Sequence, residues 1–464
     1  MKIIDPALLG VDVEKIHEAT LYVLEKVGVR FSSNEAIGYF KKHGARVEDN
    51  LVFIKENILQ ENLRLVPESF TIEAPDPSKR VTVGRGSRVY APAFGAVNVR
   101  DRKARRPAEL RDLVKLIKLM ETSDVLRMVN PNIVVCHDIE PEVRSLVQTA
   151  LCLKYSTKPL IGVTAGRHEA EKFIDLAGKF FGTLDKNVIL GIINPVTPLQ
   201  YDQAMAEGIA VFAKNNQPLV IASCSLPGAT SPGTVSSTLV VNNAEVLAGI
   251  VLSQLIQPGL PVIYGNASVA CDMRYMSTAI GSPETALITC ATAALGNYYN
   301  IPVRSGGALT DAKVLDAQAG IESMMTMLPA IMSGIDFILH SCGILESYLT
   351  VDFKKFLVDE EMIRMAERFA RGIEINDQTL GLNVIERCGP GGNFISEDHT
   401  FFNMKREFYY PRLFSRTNYY TWQSEDRPIV NRRAAMHIDE RVEEFHEPDK
   451  TKEQEEILAK VLEC

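Results

Sequence analysis

The feature that most constrains this chain is an alternation. Short apolar runs at 127–135, 159–164, 188–193, 218–223, 261–265, 301–304 and 335–340 are separated by longer stretches with helical spacing. Apolar runs of strand length between helix-length segments are the pattern of parallel strands joined by helical crossovers. A further strand is expected at 89–99, and helices at 109–122, 142–154, 168–181, 201–215, 243–257, 284–298, 313–333 and 359–372. Eight strand-helix units is the number that closes a (β/α)8, or TIM, barrel. An open doubly wound sheet is the alternative, but its first strand would lead into a Gly-x-Gly-x-x-Gly turn, and none follows here. Ser282 before Pro283 reads as a helix cap with proline at the first helical position, and Asn243 is expected to cap the helix that holds Glu245.

A barrel takes up about 250 residues, and the chain has 464. The surplus divides into an N-terminal helical cap over 1–85, the barrel over 86–375, and a C-terminal lid and tail over 376–464. Val13, Ile16, Ala19, Thr20, Val23, Leu24 and Val27 trace one helix face in the cap, closed by Gly28. Past residue 375 come the turn Gly389-Pro390-Gly391-Gly392, an aromatic-rich stretch to Trp422, and a charged segment from Glu440 that is expected to form an exposed helix.

Charge and cysteine usage narrow the function classes. Fifty Lys and Arg against 58 Asp and Glu give a formal charge of -8, which offers no general attraction to nucleic acid or to an anionic membrane. The one basic cluster, Arg100, Arg102, Lys103, Arg105 and Arg106, reads as a solvated loop, with an acidic protein partner as the alternative. The longest apolar stretch, Ala244 to Ile256, contains Glu245 and is too short to span a bilayer. The eight cysteines form no Cys-x-x-Cys pair and no secretion signal precedes them, so a reducing cytoplasm is expected, with most thiols packed as small hydrophobes. No His, Cys, Asp or Glu grouping has the spacing of a zinc site, and no metal is expected.

In a barrel, chemistry sits where strands end and the following loops begin. The strand ends supply Phe94, Asn130, Asn132, Thr164, Asn194, Ser223 to Ser225, Gly265, Asn266, Arg304 and His340, of which only the last two can carry charge. Arg304 precedes Ser305-Gly306-Gly307, and its guanidinium suits a carboxylate through two parallel hydrogen bonds. An ion pair to a rim acid such as Asp311 is the ligand-free alternative. His340 could donate to the same carboxylate or to a reacting group, or be a satisfied core histidine. Tyr90, Phe94, Tyr264, Tyr348, Phe353, Tyr419, Tyr420 and Trp422 are expected near the mouth, where a few of them would touch a ligand. Ring faces attract a quaternary ammonium by about 2 kcal/mol when water is excluded.

These residues sit within a wider resemblance. Ala91-Pro92-Ala93-Phe94-Gly95-Ala96 with Arg105-Arg106, Asn194 to Leu199, Gly228 to Thr234, and Asn243 to Gly249 resemble the trimethylamine methyltransferase family, in its branch without pyrrolysine. So do Gln257 to Pro261, Gly281 to Glu284, Gly306 to Lys313, Asp316 to Gly320, and Gly389 to Gly392 with His399-Thr400. That branch includes glycine betaine, proline betaine and carnitine methyltransferases. The resemblance implies a TIM barrel that moves a methyl group from a quaternary amine to Co(I) of a corrinoid (cobalamin) carried by a separate protein. No cofactor would be held tightly by this chain, and self-association is implied. Pyrrolysine would fall near Gly307 to Asp311, where only standard residues stand, which turns the expectation from trimethylamine towards quaternary amines. Such a substrate leaves as a neutral amine, so catalysis is expected from positioning rather than from an acid or base. Arg304, His340, Phe94, Tyr90, Asn194, Tyr348, Tyr264 and Trp422 are the substrate-binding candidates. A different barrel enzyme, such as a zinc-dependent methyltransferase, and a non-catalytic betaine-binding paralogue are the alternatives.

Overall fold

The computed structural model describes residues 4–84, 86–101, 104–162, 166–425 and 428–463. Seven strands form one parallel sheet: β1 (Val89–Tyr90), β3 (Leu160–Ile161), β4 (Ile189–Ile193), β5 (Leu219–Ser223), β6 (Val262–Asn266), β7 (Val303–Gly306) and β8 (Phe337–Leu339). Their spatial order is β1-β8-β7-β6-β5-β4-β3, with Arg304 opposite Gly265 on one side and Phe337 on the other. A short eighth segment, β2 (127–129), closes the ring. The Arg127 amide donates to the Tyr90 carbonyl at 2.9 Å, and Val129 bridges in parallel to Leu160. The expected barrel is therefore the observed one.

Helices α1 (Leu110–Glu121), α2 (Pro141–Tyr155), α3 (Arg167–Phe181), α4 (Gln203–Lys214), α5 (Val235–Ile256), α6 (Pro283–Tyr298), α7 (Ala317–Ser333) and α8 (Phe353–Ala370) follow the strands in turn. Ser282 caps α6 as its sequence indicates, accepting from the Thr285 amide. Asn243 does not cap α5. That helix starts eight residues earlier at Val235 and is capped by Thr234, whose side chain accepts from the Ser237 amide. Asn243 is buried in mid-helix because its amide serves tertiary partners: Nδ2 donates to Thr20 Oγ1 (3.0 Å) and the Tyr299 hydroxyl (2.8 Å), and Oδ1 accepts from the Tyr264 hydroxyl (2.8 Å). By length and composition α5 could cross a membrane, but here it is packed inside the protein.

Inside the ring, Val89, Met128, Leu190, Val220, Ile263 and Phe337 form an apolar cluster, joined by Phe70, Ile72, Val81 and Val83 from a hairpin of Ser69–Ile72 with Val81–Gly84. This hairpin plugs the end where the strands begin: Asn187, just before β4, donates its side-chain amide to the Thr71 carbonyl at 2.8 Å. Gly84, at φ +98°, faces Ser69 across the hairpin, and an added Cβ would stand 2.1 Å from the Glu68 carbonyl. Only glycine fits that close approach.

The extensions clothe the barrel. Helices Val13–Tyr22, Asn34–Lys42 and Glu56–Leu63 lie against α5, reaching also to α6 and α4, while Val430–Glu443 packs on α8 and α1. The charged segment from Glu440 is not an exposed helix throughout. Its helix Lys452–Leu462 docks on α2 and α3 and buries Leu458, because Leu458 falls on the face turned to the barrel. The basic cluster is a strand pair, Asn98–Arg100 with Arg105–Pro107, whose arginines are paired with acids: Arg105 meets Glu346 at 2.6 Å, and Arg106 grips Asp112 with both Nη atoms at 2.7 and 2.8 Å. Arg102 and Lys103 lie outside the described residues.

Candidate active site at the barrel mouth

All eight strands end on one side, so the loops after them converge on a single mouth. In β7, Val303 packs outward under the helices and Arg304 points into the ring, 4% exposed. Its Nη1 donates to the Asn266 carbonyl at the end of β6, while its buried Nε has no hydrogen-bond partner. Among the described residues no carboxylate pairs with it. Burial lowers its pKa to about 10, opposed weakly by Tyr348 and Cys224. Asp311, the rim acid weighed as its partner, is engaged elsewhere. One oxygen accepts from the Ile280 amide (3.1 Å) and the Ser347 hydroxyl (2.5 Å), the other from the Gly281 amide (3.0 Å).

His340 directly follows β8 and has φ +57°, an uncommon conformation for a residue with a side chain. Its Nδ1 stands 3.3 Å from the Phe94 amide. Since that N–H can only donate, Nδ1 accepts and the proton of the neutral ring belongs on Nε2. Burial, and then the charge of Arg304, hold the His340 pKa well below its ordinary value. The ring lies 4.6 Å from that of Tyr348, tilted by 46°. Phe94 is partly buried over the barrel's interior cluster.

Tyr348 reaches this point on a loop with three successive left-handed residues: Glu346 (φ 54°), Ser347 (φ 52°) and Tyr348 (φ 77°). Each such conformation costs on the order of 1–3 kcal/mol for a residue with a side chain. The loop is held by Arg105 on Glu346, by the Glu346 amide on the Ala312 carbonyl (3.0 Å), and by Ser347 on Asp311. Strain of this kind gathers where a side chain must be aimed.

The opposite wall comes from β4 and β5. Asn194 donates its amide to the Ala222 carbonyl at 2.7 Å. Behind it Glu245, fully buried on α5, accepts from the Ser223 hydroxyl and the Leu199 amide, both at 2.5 Å. Ser225 joins Ser223 (3.1 Å) and Thr197 (3.0 Å), so one polar network ties the two loops. Burial raises the Glu245 pKa, with the Ser223 bond acting against it. Cys224, an accessible residue in this wall, lies close enough to Arg304 for the guanidinium to oppose the rise that burial imposes on its thiol.

Of the sequence candidates, Arg304, His340, Phe94, Tyr348 and Asn194 meet at the mouth, and three lie elsewhere. Tyr90 faces outward from β1, and its hydroxyl donates to Glu367 on the last turns of α8. Tyr264 is fully buried between β6 and the helices. Trp422 belongs to a C-terminal helix, Tyr419–Ser424, where its indole N–H meets the Pro428 carbonyl at 3.4 Å. Tyr419 and Tyr420 share that exposed helix, and Phe353 packs at the start of α8 beneath Lys115. Thr164 lies outside the described residues. Cys224 and the strained 346–348 loop carry no sequence motif, and Glu245 lies in the Asn243 to Gly249 motif without having been read as part of the site. The strand-end position of Cys224 was the one signal available for it.

Comparison with known proteins places the chain among methyltransferases. The family model described as trimethylamine methyltransferase matches residues 7–463. The glycine betaine methyltransferase of Desulfitobacterium hafniense is 38% identical over 418 residues, 89% of this chain and 87% of that protein. The proline betaine:corrinoid methyltransferase of Eubacterium limosum is 37% identical over 474 residues, 97% of this chain and 96% of that protein. The crystal structure of the Methanosarcina barkeri monomethylamine methyltransferase shares the fold, with a TM-score of 0.58 at 12% identity, covering 97% of this chain and 94% of that one. With its whole barrel and both extensions matched, the chain belongs to the trimethylamine methyltransferase family.

Proposed function

We propose that this chain moves a methyl group from a betaine-type quaternary amine to Co(I) of a corrinoid held by a partner protein. The observation that carries this reading is Arg304, a buried cation without an acidic partner among the described residues, set near Tyr348 and the neutral imidazole of His340, on which the Phe94 amide rests. An unpaired buried charge costs several kcal/mol. A ligand carboxylate would offset that cost with two charge-assisted hydrogen bonds.

A betaine joins a carboxylate to a permanent cation a few bonds away. With the carboxylate on Arg304, the ammonium falls against the faces of Tyr348 and Phe94, which attract it. His340 stays uncharged and so does not repel it. As the methyl leaves, the charge on nitrogen disappears, and a site that gripped only the cation would hold the ground state too well. Anchoring through the remote carboxylate avoids this loss, since that interaction persists unchanged through the reaction. No proton need move.

When its carrier docks, the corrinoid supplies the nucleophile. The rim suits such docking: Val196 after β4, Met273, Tyr275 and Met276 after β6, and Leu349 after β8 are exposed apolar side chains around the mouth. Closing it would shed water and fix the methyl carbon in line. We place the reaction in the cytoplasm, where a thiol such as Cys224 stays reduced, and assign the enzyme to a self-associated form.

The test is chromatography of the amines after incubation with cob(I)alamin and each of glycine betaine, proline betaine and carnitine. Formation of the singly demethylated amine from one of them supports the reading. Binding without any demethylated product would instead make the chain a betaine-binding protein.

A further inference from the structure

The C-terminal extension carries a surface that methyl transfer does not use. Among the described residues, thirteen of the 31 exposed large apolar side chains lie between residues 373 and 420, including Ile373 (82%), Ile375 (75%), Ile395 (82%), Phe401 (69%), Phe402 (71%) and Tyr420 (81%). Within this stretch the buried apolar side chains are Val384 and Leu413 alone. It contains four short helices, Asp377–Leu380, Leu382–Cys388, Asp398–Glu407 and Tyr419–Ser424, and almost no core. The stretch is anchored through polar contacts at its base: the Tyr409 hydroxyl on Glu361, Arg368 on the Glu407 carbonyl, and Arg412 on Asp124.

We propose that residues 373–420 form an exchanged arm, which in a dimer covers the α6–α7 face of the second copy. Three observations support this occupant. With aromatic side chains burying 150–250 Å² each, the exposed apolar surface is on the order of 1,500 Å². Summed over these side chains, that surpasses the about 800 Å² per partner of a standard interface. Second, the same chain offers a matching bare surface. Extension helices pack on α1 to α6 and α8, whereas among the described residues the extensions touch α7 chiefly at its ends, the Ile4 amide on the Met332 carbonyl and Asn431 on the Leu315 carbonyl. There Ile321 (70%) and Met325 (41%), one turn apart, stand exposed, as does Leu287 (41%) on the neighbouring α6. Third, the arm bears exposed aromatic and aliphatic side chains and springs from the end of α8, beside the Asp124 loop, at the opposite end of the barrel from Arg304 and His340. A carrier that docks at the mouth and leaves again calls for an interface about as polar as ordinary surface, whereas permanent self-association favours an apolar one. Reciprocal exchange about a two-fold axis satisfies both surfaces on both copies and closes the assembly.

The experiment is the solution mass of the full chain by light scattering at micromolar concentration, without corrinoid or betaine, so its failure leaves the methyl-transfer reading untouched. The wild-type chain is expected at twice the chain mass. Phe401→Glu with Phe402→Glu, and separately Ile321→Glu, should each raise the dimer dissociation constant on the order of 100-fold or more, with unchanged circular dichroism. With Phe402 replaced by the photoreactive benzoylphenylalanine in isotope-labelled chains mixed with unlabelled wild type, labelled arm peptides should join unlabelled peptides containing Ile321. A monomeric wild type, a dimer indifferent to both sets of charges, or cross-links confined to one chain would overturn the proposal. A monomer that associates through the arm only when the corrinoid protein is added would overturn it too, and give the arm to the carrier.

Discussion

Replacing Arg304 with methionine separates a ligand anchor from a structural arginine. The side chain keeps a similar volume and loses its charge. In the free protein the guanidinium is buried with one hydrogen bond to the Asn266 carbonyl and no counter-ion among the described residues. Exchanging such a buried charge for an apolar side chain is neutral or stabilising by about 1–4 kcal/mol, less about 1 kcal/mol for the carbonyl left without its donor. In a chain of this size that corresponds to a Tm change between about −1 and +3 °C. Binding moves the other way. A carboxylate held by two charge-assisted hydrogen bonds contributes roughly 3 kcal/mol, so Arg304→Met should weaken glycine betaine by about 100-fold. Thermal denaturation with and without ligand, paired with calorimetric titration, reads both. Saturating betaine should raise the wild-type Tm and leave the variant unmoved, while affinity for tetramethylammonium, which has no carboxylate, should change little. A variant that melts several degrees lower yet binds betaine as well as wild type would refute the reasoning, because it would make Arg304 a structural partner.

Three further outcomes are expected. Tyr348→Ala should raise KM for the quaternary amine by about 30-fold through loss of roughly 2 kcal/mol of cation–π attraction, whereas Tyr348→Phe should keep most of it; initial rates of the two variants decide. His340 has a folded pKa well below 6.5. Above pH 6.5 both folded and unfolded states are neutral there, and below it the unfolded chain takes up a proton that the folded chain refuses. Stability should therefore fall as pH drops from 6.5, by up to about 1.4 kcal/mol per pH unit from this group. Urea titrations from pH 5 to 8 should show His340→Asn with a shallower fall, the remainder including His17, which burial shifts in the same direction. Glu245→Ala strips the Leu199 amide and the Ser223 hydroxyl of their acceptor and should destabilise by about 2–4 kcal/mol in denaturant titration, while Glu245→Gln should cost less than half as much.

How much of this was legible in the sequence follows from which forces are local. The alternation of apolar runs with helical segments pointed to the eight units: strand β2, only three residues long, lies in the apolar run 127–135, and β1 lies in the segment 89–99 that completed the count. Arg304 and His340 were visible because a charged group just after an apolar run marks a strand end. Tyr264 was misplaced for a physical reason. Barrel strands are buried on both faces and read as continuous apolar runs, so the sequence does not tell which residues point in. Tyr90 shares that ambiguity, since Val89 faces the interior cluster and its neighbour the helices. Asn243 looks like a cap because asparagine favours caps, and only the fold brings Thr20, Tyr264 and Tyr299 to its amide. The loop Glu346-Ser347-Tyr348 has no glycine and no turn signature, although all three residues are left-handed. Its shape comes from Asp311 and Arg105, which are distant in sequence.

The most direct test of the central claim is a rapid-mixing spectrum of Co(I) cobalamin, alone or on its cognate corrinoid protein, with this enzyme and each of glycine betaine, proline betaine, carnitine and trimethylamine. The account predicts that the Co(I) absorption decays with one of the betaines, in step with release of the demethylated amine, and that trimethylamine leaves it unchanged. An absorption that persists with every betaine, even on the corrinoid protein, or that decays equally with trimethylamine, would contradict it.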